Sequence, residues 1–233
     1  MTEPLAVVLI PGLLASARLY AEQIPALWRT GAVTVADHTR DDSMPAIARR
    51  VLAGAPQRFA LVGLSMGGYI AFEILRQAPA RVVKLALLDT AAQPDTPEQS
   101  AARRAQMALA ASGRLEEVAE AQFVRAVHAT RRDDAGLRAL NRLMAEDVGT
   151  GAFLRQQTAI MGRIDSRPTL SSIRAPTLVL VGEGDELTPP ERAAEMAQGI
   201  AAARLVSVPH CGHLSTLERP REVTTALLAW LQT

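Results

Sequence analysis

Six short segments of the chain are almost continuously apolar. They are "LAVVLI" (5–10), "AVTVAD" (32–37), "FALVGL" (59–64), "KLALLD" (84–89), "TLVLVG" (177–182) and "RLVSVP" (204–209). A half-buried strand alternates apolar and polar residues, whereas a strand covered on both faces does not, so these runs predict a parallel sheet sandwiched between helices. Amphipathic patterns predict helices over 44–53, 67–78, 190–201 and 220–232, each following a strand. Strands alternating with helices predict a doubly wound α/β sheet of about six strands, with chemistry beyond the carboxyl ends of the strands.

That rhythm breaks between 92 and 165. Four stretches there, from "PEQSAARRAQMALAASG" to "GAFLRQQTAIMGRI", read as three or four helices with no strand among them. Strands resume at 177, so 92–165 is expected to be a helical insertion in one core formed by 1–91 and 166–233. Its ten arginines balance its ten acidic residues, which fits solvated helix faces better than a surface for a polyanion.

Length and charge narrow the function. A chain of 233 residues with a formal net charge of +1 can bury a sizeable core and has no general attraction for nucleic acid or anionic membrane. Lys84 is the only lysine, and Cys211 the only cysteine, which excludes an internal disulfide and a multi-cysteine metal site. The opening "MTEPLAVVLIPGLL" has no basic region, and Pro11 and Gly12 interrupt its apolar run, so neither a signal peptide nor a membrane span is expected. A cytoplasmic protein without cofactor or metal is the expectation; the sequence sets no oligomeric state.

Candidate chemistry begins at Gly63-Leu64-Ser65-Met66-Gly67, which fits G-x-S-x-G between a predicted strand and a predicted helix. So sharp a reversal holds a serine up for attack, and glycines at 63 and 67 remove the side chains that would collide. A serine hydroxyl needs a base. Of the four histidines, His38 follows the second strand and His128 is placed on an insertion helix. His210 and His213 lie in "VPHCGHLSTLERP", where the loop around Gly212 favours His213. The carboxylate that fixes the imidazole is expected from "LVGEGDELTPP", with Asp185 preferred over the solvated Glu183 and Glu186, and Asp89 as competitor. Thr188-Pro189 can open the next helix. Backbone N–H groups of Met66 and of Leu13, in "IPGLLAS", are the candidate oxyanion donors.

"GLSMGGYIAFEILRQAPARVVKLALLDT", "IRAPTLVLVGEGDELTPP" and "VPHCGHLSTLERPREVTTALLAWL" together resemble the α/β-hydrolase superfamily, in its small carboxylesterase, enol-lactonase and cofactor-free perhydrolase-like branch. The resemblance implies Ser65 as nucleophile, His213 as base and acid, Asp185 as orienting carboxylate, and 92–165 as a cap over the site. Three features depart from the family. Pro11-Gly12 replaces the usual His-Gly, and "DHTRDDSM" replaces a glycine-rich turn. With the first apolar run matching the family's third strand, the two-strand hairpin usual at the start is not expected in this sequence. A serine nucleophile disfavours dehalogenase and epoxide hydrolase chemistry.

The resulting expectation is a cofactor-independent serine hydrolase that cleaves carboxylic esters of modest apolar acyl groups through an acyl-enzyme. Lactonase, thioesterase, carbon–carbon hydrolase or perhydrolase activity of the same triad, or a ligand-binding protein on this scaffold, remain as alternatives. Met107, Leu109, Leu143, Met144, Phe153, Leu154 and Met161 are the candidates for an apolar acyl pocket. No arginine in the sequence stands out as a carboxylate clamp, which counts against an anionic substrate; Arg40 is the one to test.

Overall fold

The computed structural model describes residues 4–233; the first three residues of the opening stretch examined for a signal peptide lie outside it. Strands β1 (Val7–Ile10), β2 (Val33–Val35), β3 (Phe59–Leu64), β4 (Val82–Leu88), β5 (Thr177–Gly182) and β6 (Ala203–Val208) form one sheet in the order β2-β1-β3-β4-β5-β6. Every pairing is parallel. All six predicted strands are present.

The apolar runs need no alternation in β1, β3, β4 and β5 because each of these inner strands feeds two cores, whereas β2 and β6 at the edges are largely exposed. Val8, Ile10, Leu61, Leu85, Leu87, Val179 and Val181 face one, packed by α2 (Met44–Gly54), α3 (Met66–Gln77) and α8 (Pro190–Gly199). Val7, Leu9, Val62, Leu64, Leu88, Leu178 and Leu180 face the other, closed by α1 (Ile24–Trp28) and α10 (Pro220–Gln232). Each fully buried aliphatic side chain contributes about 1.5–3 kcal/mol.

Between β4 and β5 lie α4 (Pro97–Ala111), α5 (Leu115–Ala126), α6 (Ala135–Met161) and the short α7 (Arg167–Leu170). Gly149, at φ 73, breaks α6 into the two helices expected from its sequence. Ala110, Val118, Ala119, Ala145 and Phe153 form a third apolar cluster, which reaches Leu14 in the loop after β1. After β6, α9 (Ser215–Glu218) precedes α10.

Two features aim chemistry at the carboxyl edge. The order reverses between β1 and β3, where Ile10 pairs with Gly63, so the loops leaving these strands open a crevice there. Among the described residues, the non-glycine residues at positive φ are Leu14, Ser65, Asp89 and His210. All four lie just beyond strands β1, β3, β4 and β6. Strained backbone of this kind persists where the surroundings hold it. No helix among the described residues is long and apolar enough to cross a membrane.

Candidate active site

Ser65 joins β3 directly to α3 at φ 55 and ψ −116. Its N–H donates to the Leu88 carbonyl (2.9 Å), and its carbonyl accepts from Gly68 N–H (2.9 Å) and the Thr90 hydroxyl (2.7 Å). A Cβ on Gly63 would strike the Gly67 carbonyl, and one on Gly67 would strike the Ile10 carbonyl. The glycines therefore let three backbone segments close on the serine.

His213 and Asp185 meet directly. Nδ1 of the imidazole lies 2.8 Å from Asp185 Oδ2, and both side chains are buried. Asp185 is fixed by further donors: Leu187 N–H (2.8 Å) and Thr188 N–H (2.9 Å) on Oδ1, and the Thr188 hydroxyl (2.7 Å) on Oδ2. Thr188 thus serves the carboxylate and does not cap α8, which has no side-chain cap. Glu218 accepts from Gly212 N–H (2.9 Å) and His128 N–H (2.8 Å), while His213 N–H donates to the Ala126 carbonyl (2.6 Å). The histidine loop is thereby pinned to the end of α5.

Electrostatics follow from this packing. Burial raises the Asp185 pKa, but the facing imidazole and the Thr188 donors outweigh it and leave the carboxyl below its ordinary value. Burial pulls His213 down, yet the neighbouring carboxylates, Asp185 foremost, raise it above the ordinary 6.5. Asp89 does not contact His213. Its oxygens accept from Gly182 N–H (3.0 Å) and Ser215, and burial with the nearby Asp185 charge pushes its pKa up to about 8.

Ser65, His213 and Leu13 line one cavity of about 180 Å³. Among the described residues, the Ser65 hydroxyl makes no hydrogen bond, so serine and imidazole share this space without a bond between them. Met66 opens α3, where the first N–H groups have no intrahelical acceptor, and Leu13 N–H has no acceptor among the described residues. The loop carrying Leu13 is braced from two sides. The Gly12 carbonyl lies 2.9 Å from Nε2 of buried His38, and Leu14 N–H donates to Gln156 Oε1 (3.1 Å). His38, in the segment that departs from the family pattern, supplies an anchor for the Pro11-Gly12 turn. Burial lowers its pKa, so the ring stays neutral and donates.

Several expectations need correction. None of Met107, Leu109, Leu143, Met144, Phe153, Leu154 and Met161 lines the cavity. Met144 and Phe153 are buried between helices, and Leu143 faces outward. The wall is instead mixed: Leu13, Tyr69, Ile160, Leu187 and Leu214 give it apolar surface, and Gln99, Arg103 and Gln106 from α4, Gln122 and Arg125 from α5, and Asn141 from α6 give it polar groups. Arg40 pairs with Asp37 (3.0 Å) away from the cavity. His128 follows α5 instead of lying within it, stacks edge-on against His210, and caps the next turn.

A family model described as the alpha/beta hydrolase fold matches residues 6–220. The chain belongs to the α/β-hydrolase family. A pimeloyl-[acyl-carrier protein] methyl ester esterase of Nitrosomonas europaea is 27% identical over 78% of this chain and 74% of its own length. A putative non-heme bromoperoxidase of Mycobacterium tuberculosis is 30% identical over 75% of this chain and 67% of its own. The solved thermophilic esterase of Thermogutta terrifontis, with malate bound, superimposes with a TM-score of 0.89 at 30% identity, covering 98% of this chain and 89% of that one. This α/β-hydrolase is accordingly a hydrolytic enzyme.

Proposed function

We propose that this α/β-hydrolase cleaves small carboxylic esters through an acyl-enzyme, with Ser65 as nucleophile, His213 as general base and acid, and Asp185 as the orienting carboxylate. The observation that carries this reading is the 2.8 Å Asp185–His213 bond beside a cavity that the strained Ser65 turn also lines. With Asp185 ionised, the imidazole carries its proton on Nδ1 and presents Nε2 as the base.

Each step uses a group already described. The Ser65 hydroxyl attacks the ester carbonyl as His213 takes its proton, and the Met66 and Leu13 N–H groups receive the oxyanion. His213 then protonates the leaving alcohol, and in the second half it draws a proton from the water that releases the acid. The ionised Asp185 offsets the imidazolium charge in both halves. No cofactor enters this sequence. Helices α4 to α6 act as a cap, an assignment supported by the six polar side chains they give to the cavity wall.

The test is Ser65→Ala assayed with p-nitrophenyl acetate. Turnover should fall by about 10⁴-fold or more. A variant retaining half the wild-type rate would remove Ser65 from the chemistry.

A further inference from the structure

The cavity wall has a definite hydrogen-bonding polarity, and it can be traced from one residue. Arg103 can only donate. Its Nε donates to Asp95 (2.6 Å) and its Nη1 to Gln157 Oε1 (2.9 Å), which fixes the Gln157 amide with its nitrogen pointing onward. That nitrogen donates to Gln106 Oε1 (2.9 Å), which also accepts from Gln122 Nε2 at 3.4 Å. The Gln106 oxygen is therefore occupied, and its NH₂ group, without a protein acceptor among the described residues, is left to the cavity it lines.

Charge follows the same direction. Asp95, with a buried side chain, lies between Arg103 (2.6 Å) and Arg163 (2.8 Å), one carboxylate against two guanidiniums. Arg125 lines the cavity, is exposed toward solvent, and pairs with no carboxylate among the described residues. Among the described residues, no aspartate or glutamate lines the cavity. Arg125 immediately precedes Ala126, whose carbonyl holds the His213 N–H, so the backbone it projects from is tied to the histidine loop. The volume of about 180 Å³ lies below the ~300–1,000 Å³ of sites for drug-sized ligands and limits the occupant to a small molecule.

We infer that the cavity selects small esters that carry a free carboxylate on the part away from the scissile bond, held by the Arg125 guanidinium and the Gln106 amide. This rests on the serine-esterase reading for the chemistry but on separate residues for the selection. A guanidinium fork matches a carboxylate in a plane, and the Gln106 NH₂ adds a donor. The Gln122 and Asn141 nitrogens are directed to protein oxygens, leaving their amide oxygens to accept from a substrate hydroxyl.

The test compares monomethyl glutarate with dimethyl glutarate in a pH-stat assay. Wild type should favour the charged half-ester in kcat/KM by about tenfold or more, and Arg125→Gln should erase that preference, mainly through KM, by about ten- to a hundredfold. In parallel, calorimetry should detect glutarate binding to Ser65→Ala, weakened at least tenfold when Arg125→Gln is added. Equal use of both esters by wild type, or glutarate binding indifferent to Arg125, would overturn the inference and leave the serine chemistry standing. Hydrolysis that survives in Ser65→Ala would instead strike the serine reading, while the calorimetry would still decide the carboxylate site.

Discussion

The brace between Gln156 and the loop after β1 gives the most discriminating structural prediction. Leu14 is buried at φ 57, and its N–H donates to Gln156 Oε1 at 3.1 Å. Replacing Gln156 by leucine removes that acceptor and leaves a buried N–H unpaired, at a cost of about 1–3 kcal/mol. Part is returned, because Gln156 Nε2 is itself buried without a protein partner and disappears with the substitution. A net loss of about 1 kcal/mol is expected, which in a chain of this length lowers the melting temperature by about 2–4 °C. The catalytic effect should be larger than this stability loss implies. Losing one oxyanion donor outright costs about 10²- to 10³-fold in kcat. With His38 still holding the Gly12 carbonyl, the loop loosens without leaving, so we predict a fall in kcat of about tenfold with KM little changed. Steady-state kinetics on p-nitrophenyl acetate with a thermal melt of the same sample measures both. A lowered melting temperature with kcat within twofold of wild type would mean that Gln156 only braces the fold, and would refute the link between this loop and the oxyanion.

Three further predictions follow from the site. Because its neighbouring carboxylates raise the His213 pKa, kcat/KM should climb with pH through a midpoint above 6.5 in the free enzyme; a midpoint below that value would contradict the ion pair. The buried histidines act oppositely on stability. His38, with its pKa lowered, withdraws stability as pH falls below 6.5, whereas the contribution of His213 is full below 6.5 and fades as pH rises through its raised pKa. Gly67→Ala should lower the urea midpoint by the equivalent of about 1–3 kcal/mol and abolish turnover, since its Cβ meets the Ile10 backbone and no side chain can yield; a fully active, stable variant would refute the packing argument.

The four inner strands were legible because double-sided burial leaves an unbroken apolar run, and the elbow because only glycine fits at 63 and 67. Asp185 was legible as a carboxylate on the loop after β5, although the second function of Thr188 was not. What the sequence concealed is the cavity wall. Gln99, Arg103 and Gln106 recur at helical spacing on α4, as do Gln122 and Arg125 on α5. A polar stripe of that period is also what a solvated helix face presents, and only packing of α4 to α6 over the sheet edge turns it inward. The residues expected to line an apolar pocket failed for the converse reason. Met144 and Phe153 hold these helices to one another and to the sheet, so they are consumed by the fold. His38 and Gln156 were hidden because each acts on backbone far away in sequence, where no local pattern records the contact.

The central claim is that Ser65 is activated by His213 and Asp185 across the shared cavity. It is tested most directly by treating the native protein with a fluorophosphonate and mapping the labelled peptide. The account predicts one adduct, on Ser65, formed far more slowly in His213→Ala. Label on another residue, or equal labelling of Ser65 in the two proteins, would contradict it.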